Sequence, residues 1–131
     1  MISLDTSVLV RYLVGTPEDK ARRAAALIEG PDRVAVSIVA LVECAHVLRA
    51  RYGVPKVEII DSLLSIVRRD NVAVVDMDTS DVTDAFVRAR SMPGRPIPDA
   101  LIVVQAQRAH ALPIATFDHD MRRYGLAVVE P

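Results

Sequence analysis

Four acidic residues stand where a chain could put them to chemical use: Asp5, Glu43, Asp99 and Asp118. Asp5 follows the short apolar run Ile2-Ser3-Leu4, which reads as a buried strand delivering one carboxylate to its C-terminal end. Glu43 interrupts an apolar helical stretch about where the core face should run. Asp99 follows a proline-rich segment and opens a helix, and Asp118 lies just past the strand expected at Ile114 to Thr116. Carboxylates brought within a few ångströms of one another cannot all ionise without compensation, so at least one acquires a raised pKa. A hard divalent cation relieves that repulsion. The donors are all oxygen and no Cys or His cluster has ligand spacing, so Mg²⁺ or Mn²⁺ is expected rather than zinc. Sites of this kind support phosphoryl chemistry, making water a nucleophile and stabilising the leaving oxygen, with room for two ions about 3.5–4 Å apart. Thr6 and Thr116 flank the acids and can hydrogen-bond a ligand or a water from behind them.

Each acid also has an ordinary reading. An Asp after a strand is often a helix cap, which covers Asp5, Asp99 and Asp118. What sets the four apart is their expected shared location at one sheet edge.

The elements that must hold them alternate. Ile2 to Leu4 reads as the first strand, and Thr6 or Ser7 as the cap of a helix bearing Val8, Leu9, Tyr12 and Leu13 on one side. A second helix runs from Pro17 to about Glu29, and a second strand from Arg33 to Val36. Ser37 caps a long helix that closes at Gly53. Pro55 starts a fourth helix to about Arg69, whose apolar face is wider than one core contact uses. Its residues Ile59, Leu63 and Ile66 are therefore expected to meet a partner, either a second copy or an inhibitor. Val72 to Val75 reads as a third strand, followed by a helix from Thr79 or Ser80 to about Arg90. Met92 to Pro98 is expected to be a loop, because three prolines in six residues disfavour regular structure. A helix from Asp99, a strand at Ile114 to Thr116, a short turn and a last strand at Ala127 to Val129 complete the chain. Short strands alternating with helices predict an α/β fold with a central, mainly parallel sheet of about five short strands flanked by helices. Open parallel sheets bind ligands beyond the C-terminal strand ends, at the edge where the acids are expected.

Bulk properties narrow the classes. The chain has 131 residues, enough for one domain with a real core, and reads as a single unit over 1–131. Hydrophobic residues make up 51% and aromatics 4%, so that core must be aliphatic. A mean hydropathy of +0.26 leaves apolar surface to spare and predicts a protein interface. No apolar run reaches the ~20 residues a membrane span requires. The net charge of −1 excludes a global polycation, yet nearly all the basic residues are Arg, suited to a basic rim around an acidic centre. Cys44 is the only cysteine and is expected to be a buried small hydrophobe. No charged-then-apolar leader opens the sequence, which predicts a cytoplasmic protein.

The segments Ile2-Ser3-Leu4-Asp5-Thr6-Ser7, Ser37-Ile38-Val39-Ala40-Leu41-Val42-Glu43, Pro98-Asp99-Ala100-Leu101-Ile102 and Ala115-Thr116-Phe117-Asp118-His119-Asp120 together resemble the PIN-domain ribonucleases, specifically the VapC-like toxins of toxin–antitoxin pairs. The resemblance runs in order over essentially the whole chain. It implies a Mg²⁺- or Mn²⁺-dependent endonuclease acting on single-stranded or structured RNA, a homodimer, and neutralisation by a small cognate antitoxin. On that resemblance Asp5 and Asp99 would be the principal metal ligands. Glu43 and Asp118 would complete the acidic set, and Asp120 would act from the outer shell. Arg95, in the segment before Asp99, is placed to meet the substrate. Met121 stands where a Phe is common in the family, a change expected to affect packing rather than chemistry. Two rival readings compete. Asp76-Met77-Asp78 after a strand resembles the nucleophile motif of haloacid-dehalogenase-like phosphatases, and a PIN-like fold can also serve as a non-catalytic binding or assembly module.

Overall fold

Every apolar run that alternates with a helical pattern becomes a strand of only two or three residues, and each strand pairs in parallel. In a computed structural model, which describes all 131 residues, the chain divides into two compact units, Met1–Thr79 and Ser80–Pro131.

The first unit contains β1 (Ile2–Ser3), α1 (Thr6–Val14), α2 (Glu18–Ile28), β2 (Val34–Val36), α3 (Ile38–Tyr52), α4 (Lys56–Val67) and β3 (Val72–Val74). The strands form one sheet in the order β1-β2-β3, with Ile2 opposite Val34 and Val34 opposite Val72. β2 is central and buried along its whole length, which explains why it reads as Val-Ala-Val without alternation. α1 packs on α2 and α3, while α4 packs on α3 and β3. Two glycines set helix ends: Gly15 and Gly53 take φ of +82° and +62°, a left-handed turn that lets their N–H groups close on Arg11 and Arg49 carbonyls. Asn71 ties down the turn ahead of β2, its amide donating to the carbonyls of Ile28, Gly30 and Asp32 at 2.9–3.3 Å.

The wide apolar face of α4 meets the core, contrary to the expectation of a partner. Ile59, Leu63 and Ile66 are 3%, 0% and 1% exposed, so they are core and meet no partner. The face is wide because α4 is used from two sides, by α3 and by β3, which also buries Ile60, Leu64 and Val67.

The second unit takes in α5 (Thr79–Arg90) from its second residue and continues through α6 (Pro96–Arg108), β4 (Ile114–Ala115), a 3₁₀ helix (His119–Tyr124) and β5 (Val128–Val129). β4 and β5 form a parallel pair of their own. The five strands are thus parallel, as expected, but dealt three and two into separate sheets, and strand order does not reverse within either. Phe86 is fully buried on α5, and Val103, Ile114 and Met121 form a cluster against which Tyr124, Leu126 and Val128 pack. Met121 therefore does fill a core position. No helix is long and apolar enough to cross a membrane.

The proline-rich segment is a loop only up to Arg95, contrary to the expectation of a loop to Pro98. Helix α6 starts at Pro96, so Pro96 and Pro98 belong to its first turn rather than to a loop. The first N–H groups of a helix have no partner within it, so prolines there lose nothing, and their fixed φ already suits the turn. Asp99 consequently lies in the first turn of the helix, three residues after its start.

Candidate functional site

Asp5 follows β1 and is the N-cap of α1, in place of the expected Thr6 or Ser7. The Ser7 hydroxyl donates to its Oδ2 at 2.9 Å and the Ser7 N–H at 3.4 Å. These donors, the hydroxyl foremost, hold the Asp5 carboxyl below the usual range although it is fully open to solvent. The cap fixes the residue without burying it, so its charge stays available.

Glu43 rides on α3, whose buried side is Ala40, Leu41, Cys44, Ala45 and Leu48. Glu43 lies off that side and is exposed, contrary to the expectation that it breaks into the core face. Thr6 is the residue that holds it: the Thr6 hydroxyl donates to Glu43 Oε2 at 2.9 Å, joining the start of α1 to α3. The first unit thus carries two open carboxylates, each fixed by a neighbouring hydroxyl.

The second unit carries the other acids. Asp118 follows β4 and caps the 3₁₀ helix, its Oδ1 accepting from the Asp120 N–H at 2.9 Å. Its own N–H donates to Thr116 Oγ1 at 3.0 Å, so Thr116 sets the turn from which Asp118 projects. Asp99 is no cap at all. It is half-buried, and its carboxyl is pushed up by burial first and then by the charges of Asp118 and Asp120. Asp120 has a cation nearby, Arg123 at 3.4 Å. Asp99 has none, and nothing donates a hydrogen bond to it.

Tyr124 belongs to the same surroundings and escaped the sequence reading. Burial, then Asp99, Asp118 and Asp120, push its phenol up to about 12, and its hydroxyl donates to the Pro96 carbonyl at 3.3 Å. Its spacing of six from Asp118 follows no motif; only the packing of the 3₁₀ helix on α6 shows it. Ser7, at the second position after Asp5, was the more legible omission, since an Asp side chain commonly turns onto the residue two ahead.

Neither unit gathers three His, Cys, Asp or Glu side chains into a ready-made metal cage. In kind the donors nonetheless fit a hard cation. They are carboxylates backed by hydroxyls, without thiol or imidazole among them, and the field at Asp99 is one that a cation would relieve. Arg95 is exposed immediately before α6. His46, His110 and His119 are all exposed, and Cys44 is buried with its thiol pushed up to about 12, an inert core residue.

The phosphatase reading loses its nucleophile. Both oxygens of Asp76 accept from the Ile38 N–H, at 3.0 and 3.2 Å, so this carboxylate secures the start of α3 beside the Ser37 cap.

A family model for the PIN domain matches residues 2–126, through both units and all four acids. The chain belongs to the PIN domain family. A search of curated proteins found no match, and neither did a search of solved structures. Membership brings the nuclease fold with it, in a family whose members are generally metal-dependent nucleases.

Proposed function

We propose that this PIN domain is a Mg²⁺- or Mn²⁺-dependent endoribonuclease, with Asp5, Glu43, Asp99 and Asp118 as its metal-holding and catalytic carboxylates. The observation that carries the reading is Asp99: a half-buried carboxylate without a counter-charge, in the field of Asp118 and Asp120. Such an arrangement costs stability unless a cation answers it. A divalent ion supplies Lewis acidity at a scissile phosphodiester and charge to offset the leaving oxygen. The chain's own residues supply placement. Thr6 holds Glu43, Ser7 holds Asp5 ionised, and the Thr116 turn aims Asp118 while Asp120 adds charge behind it. Arg95, at the mouth of α6, is assigned to contact the substrate phosphate.

The same proposal makes the protein the toxin of a toxin–antitoxin pair, a homodimer neutralised by a small cognate antitoxin. Bare apolar side chains near the acids support a covering partner. Val39 is 71% exposed one turn before Glu43 on α3, and Phe117, beside Asp118, is 74% exposed. On either unit, an apolar antitoxin segment would cover the bare side chain and a basic residue in it would answer the neighbouring acid.

The test is cleavage of a labelled, structured RNA by purified protein in Mg²⁺, Mn²⁺ or EDTA, with Asp5→Ala and Asp99→Ala prepared alongside. Cutting should require metal and fall to background in both variants. Cutting that persists in either variant would exclude these carboxylates. RNA binding without any metal-dependent cutting would leave the binding-module reading in their place.

A further inference from the structure

Beside Asp5, and within the first unit, a groove of about 450 Å³ runs between α1 and α2. Its wall begins at Ser7, whose hydroxyl is bound to Asp5, and continues through Arg11, Lys20 and Arg23, with Val8 and Leu27 also lining it. We propose that this groove is the track for the RNA backbone on one side of the scissile site, with Arg11, Lys20 and Arg23 as its phosphate contacts. The inference rests on the ribonuclease reading above and adds the path its substrate takes.

Charge and placement carry it. Lys20, Arg23 and Leu27 recur at helical spacing on α2, which sets two cations and an apolar side chain along one face. Arg11 answers them from α1, and neutral acceptors hold it: its guanidinium donates to the Thr16 carbonyl at 2.8 Å and to the Tyr52 hydroxyl at 3.2 Å. Its position is fixed while its charge is left uncompensated. Lys20 makes no ion pair. Arg23 lies 3.3 Å from Asp19, but that carboxylate is shared with Arg22 at 2.8 Å, so one acid stands between two arginines. The groove is therefore net positive along its length in a protein of net charge −1. An extended anion with charges at regular intervals and apolar faces between them matches such a surface, and single-stranded RNA is that polymer. Ser7 in its wall, bound to Asp5, brings the track to a proposed metal-holding carboxylate, which a site for an acidic protein would not require.

The experiment measures affinity of the full chain for a short labelled single-stranded RNA of mixed sequence, in EDTA, across a series of salt concentrations. The wild type is compared with Lys20→Gln/Arg23→Gln, and with a charge-matched control, Arg33→Gln/Arg68→Gln. Arg33 and Arg68 are exposed and lead into β2 and towards β3, at the opposite ends of the strands from Asp5. The groove variant should bind about tenfold more weakly, with a salt slope shallower by about 1.4, since each phosphate contact on a single strand contributes about 0.7. Lys20→Arg/Arg23→Lys should keep wild-type affinity, which separates loss of charge from loss of fold. Metal-dependent cutting by the groove variant should show raised KM with kcat retained. If wild type binds and cuts RNA but the groove variant matches the control, the track is wrong and the nuclease stands. If the groove variant instead loses only binding to polyglutamate, the groove serves an acidic protein and the proposal is overturned. If wild type neither binds nor cuts RNA, both readings fall together.

Discussion

Asp99 is the residue whose surroundings oppose its charge most directly. Burial raises its pKa, and Asp118 and Asp120 raise it further. The consequence for stability has a definite sign. A carboxyl with a folded pKa above its unfolded value makes the fold lose stability as pH rises between the two, and the penalty persists above them. Asp99→Asn should therefore stabilise the metal-free protein at pH 7. The gain should be less than about 1 kcal/mol, since solvent screens a half-exposed charge. It should shrink to nothing as pH falls below the ordinary carboxylate range, where wild-type Asp99 is itself protonated. Thermal melts in EDTA at several pH values read it directly, and a destabilised Asn variant at neutral pH would remove the central support for a cation site. Asp5 is the opposite case. Its carboxyl is lowered by the Ser7 donors, so it contributes above the ordinary carboxylate range and loses that contribution in acid.

Among the elements, α1 and α3 show how the carboxylates are placed. Each starts directly after a strand, at an oxygen cap, Asp5 for α1 and Ser37 for α3, and the Thr6–Glu43 hydrogen bond ties one to the other. Thr6→Val should leave the melting temperature nearly unchanged, because the bond is exposed, while metal-dependent RNA cleavage falls roughly tenfold to a hundredfold, as when outer partners of metal ligands are lost. Thr6→Ser should restore activity, because it returns the hydroxyl. A Val variant with full activity would reduce the bond to a surface contact. These elements also mark how far local sequence could be read. The helix end at Gly53 was legible because a left-handed turn favours glycine there. Asp118 as a cap was legible because a carboxylate after a strand readily accepts from the first N–H groups of a helix, whereas at Asp5 three adjacent oxygen side chains, Asp5, Thr6 and Ser7, competed for that place. Pro96 and Pro98 misled because a proline is a breaker inside a helix and a good starter in its first turn, and the sequence does not say which turn it is in. Ile59, Leu63 and Ile66 misled because a wide apolar face signals burial without saying how many neighbours share it. That Asp99 is uncapped and Tyr124 lies in its field depends on tertiary packing, which no spacing encodes.

For the whole molecule, stability comes from an aliphatic core, with two aromatic-poor units and no buried polar side chain. Function, on the present proposal, comes from exposed or half-buried acids that add nothing to that core. The two should separate under mass action. A cation that binds only the folded chain stabilises it by about 1.4 kcal/mol at ten times its dissociation constant. Ile66→Val trims one methyl from a position 1% exposed and should lower stability by about 1 kcal/mol. Because Ile66 is a buried side chain of α4, a helix that carries none of the four proposed ligands, the increment from added Mg²⁺ should be the same in this variant as in wild type. Asp99→Asn should do the reverse, keeping or raising the metal-free melting temperature while losing most of the Mg²⁺ increment. Melts of the three proteins with and without metal decide the matter. An equal increment in all three would mean that Mg²⁺ binds away from Asp99. An increment lost in Ile66→Val as well would mean that core packing, rather than the carboxylate itself, governs the response to metal.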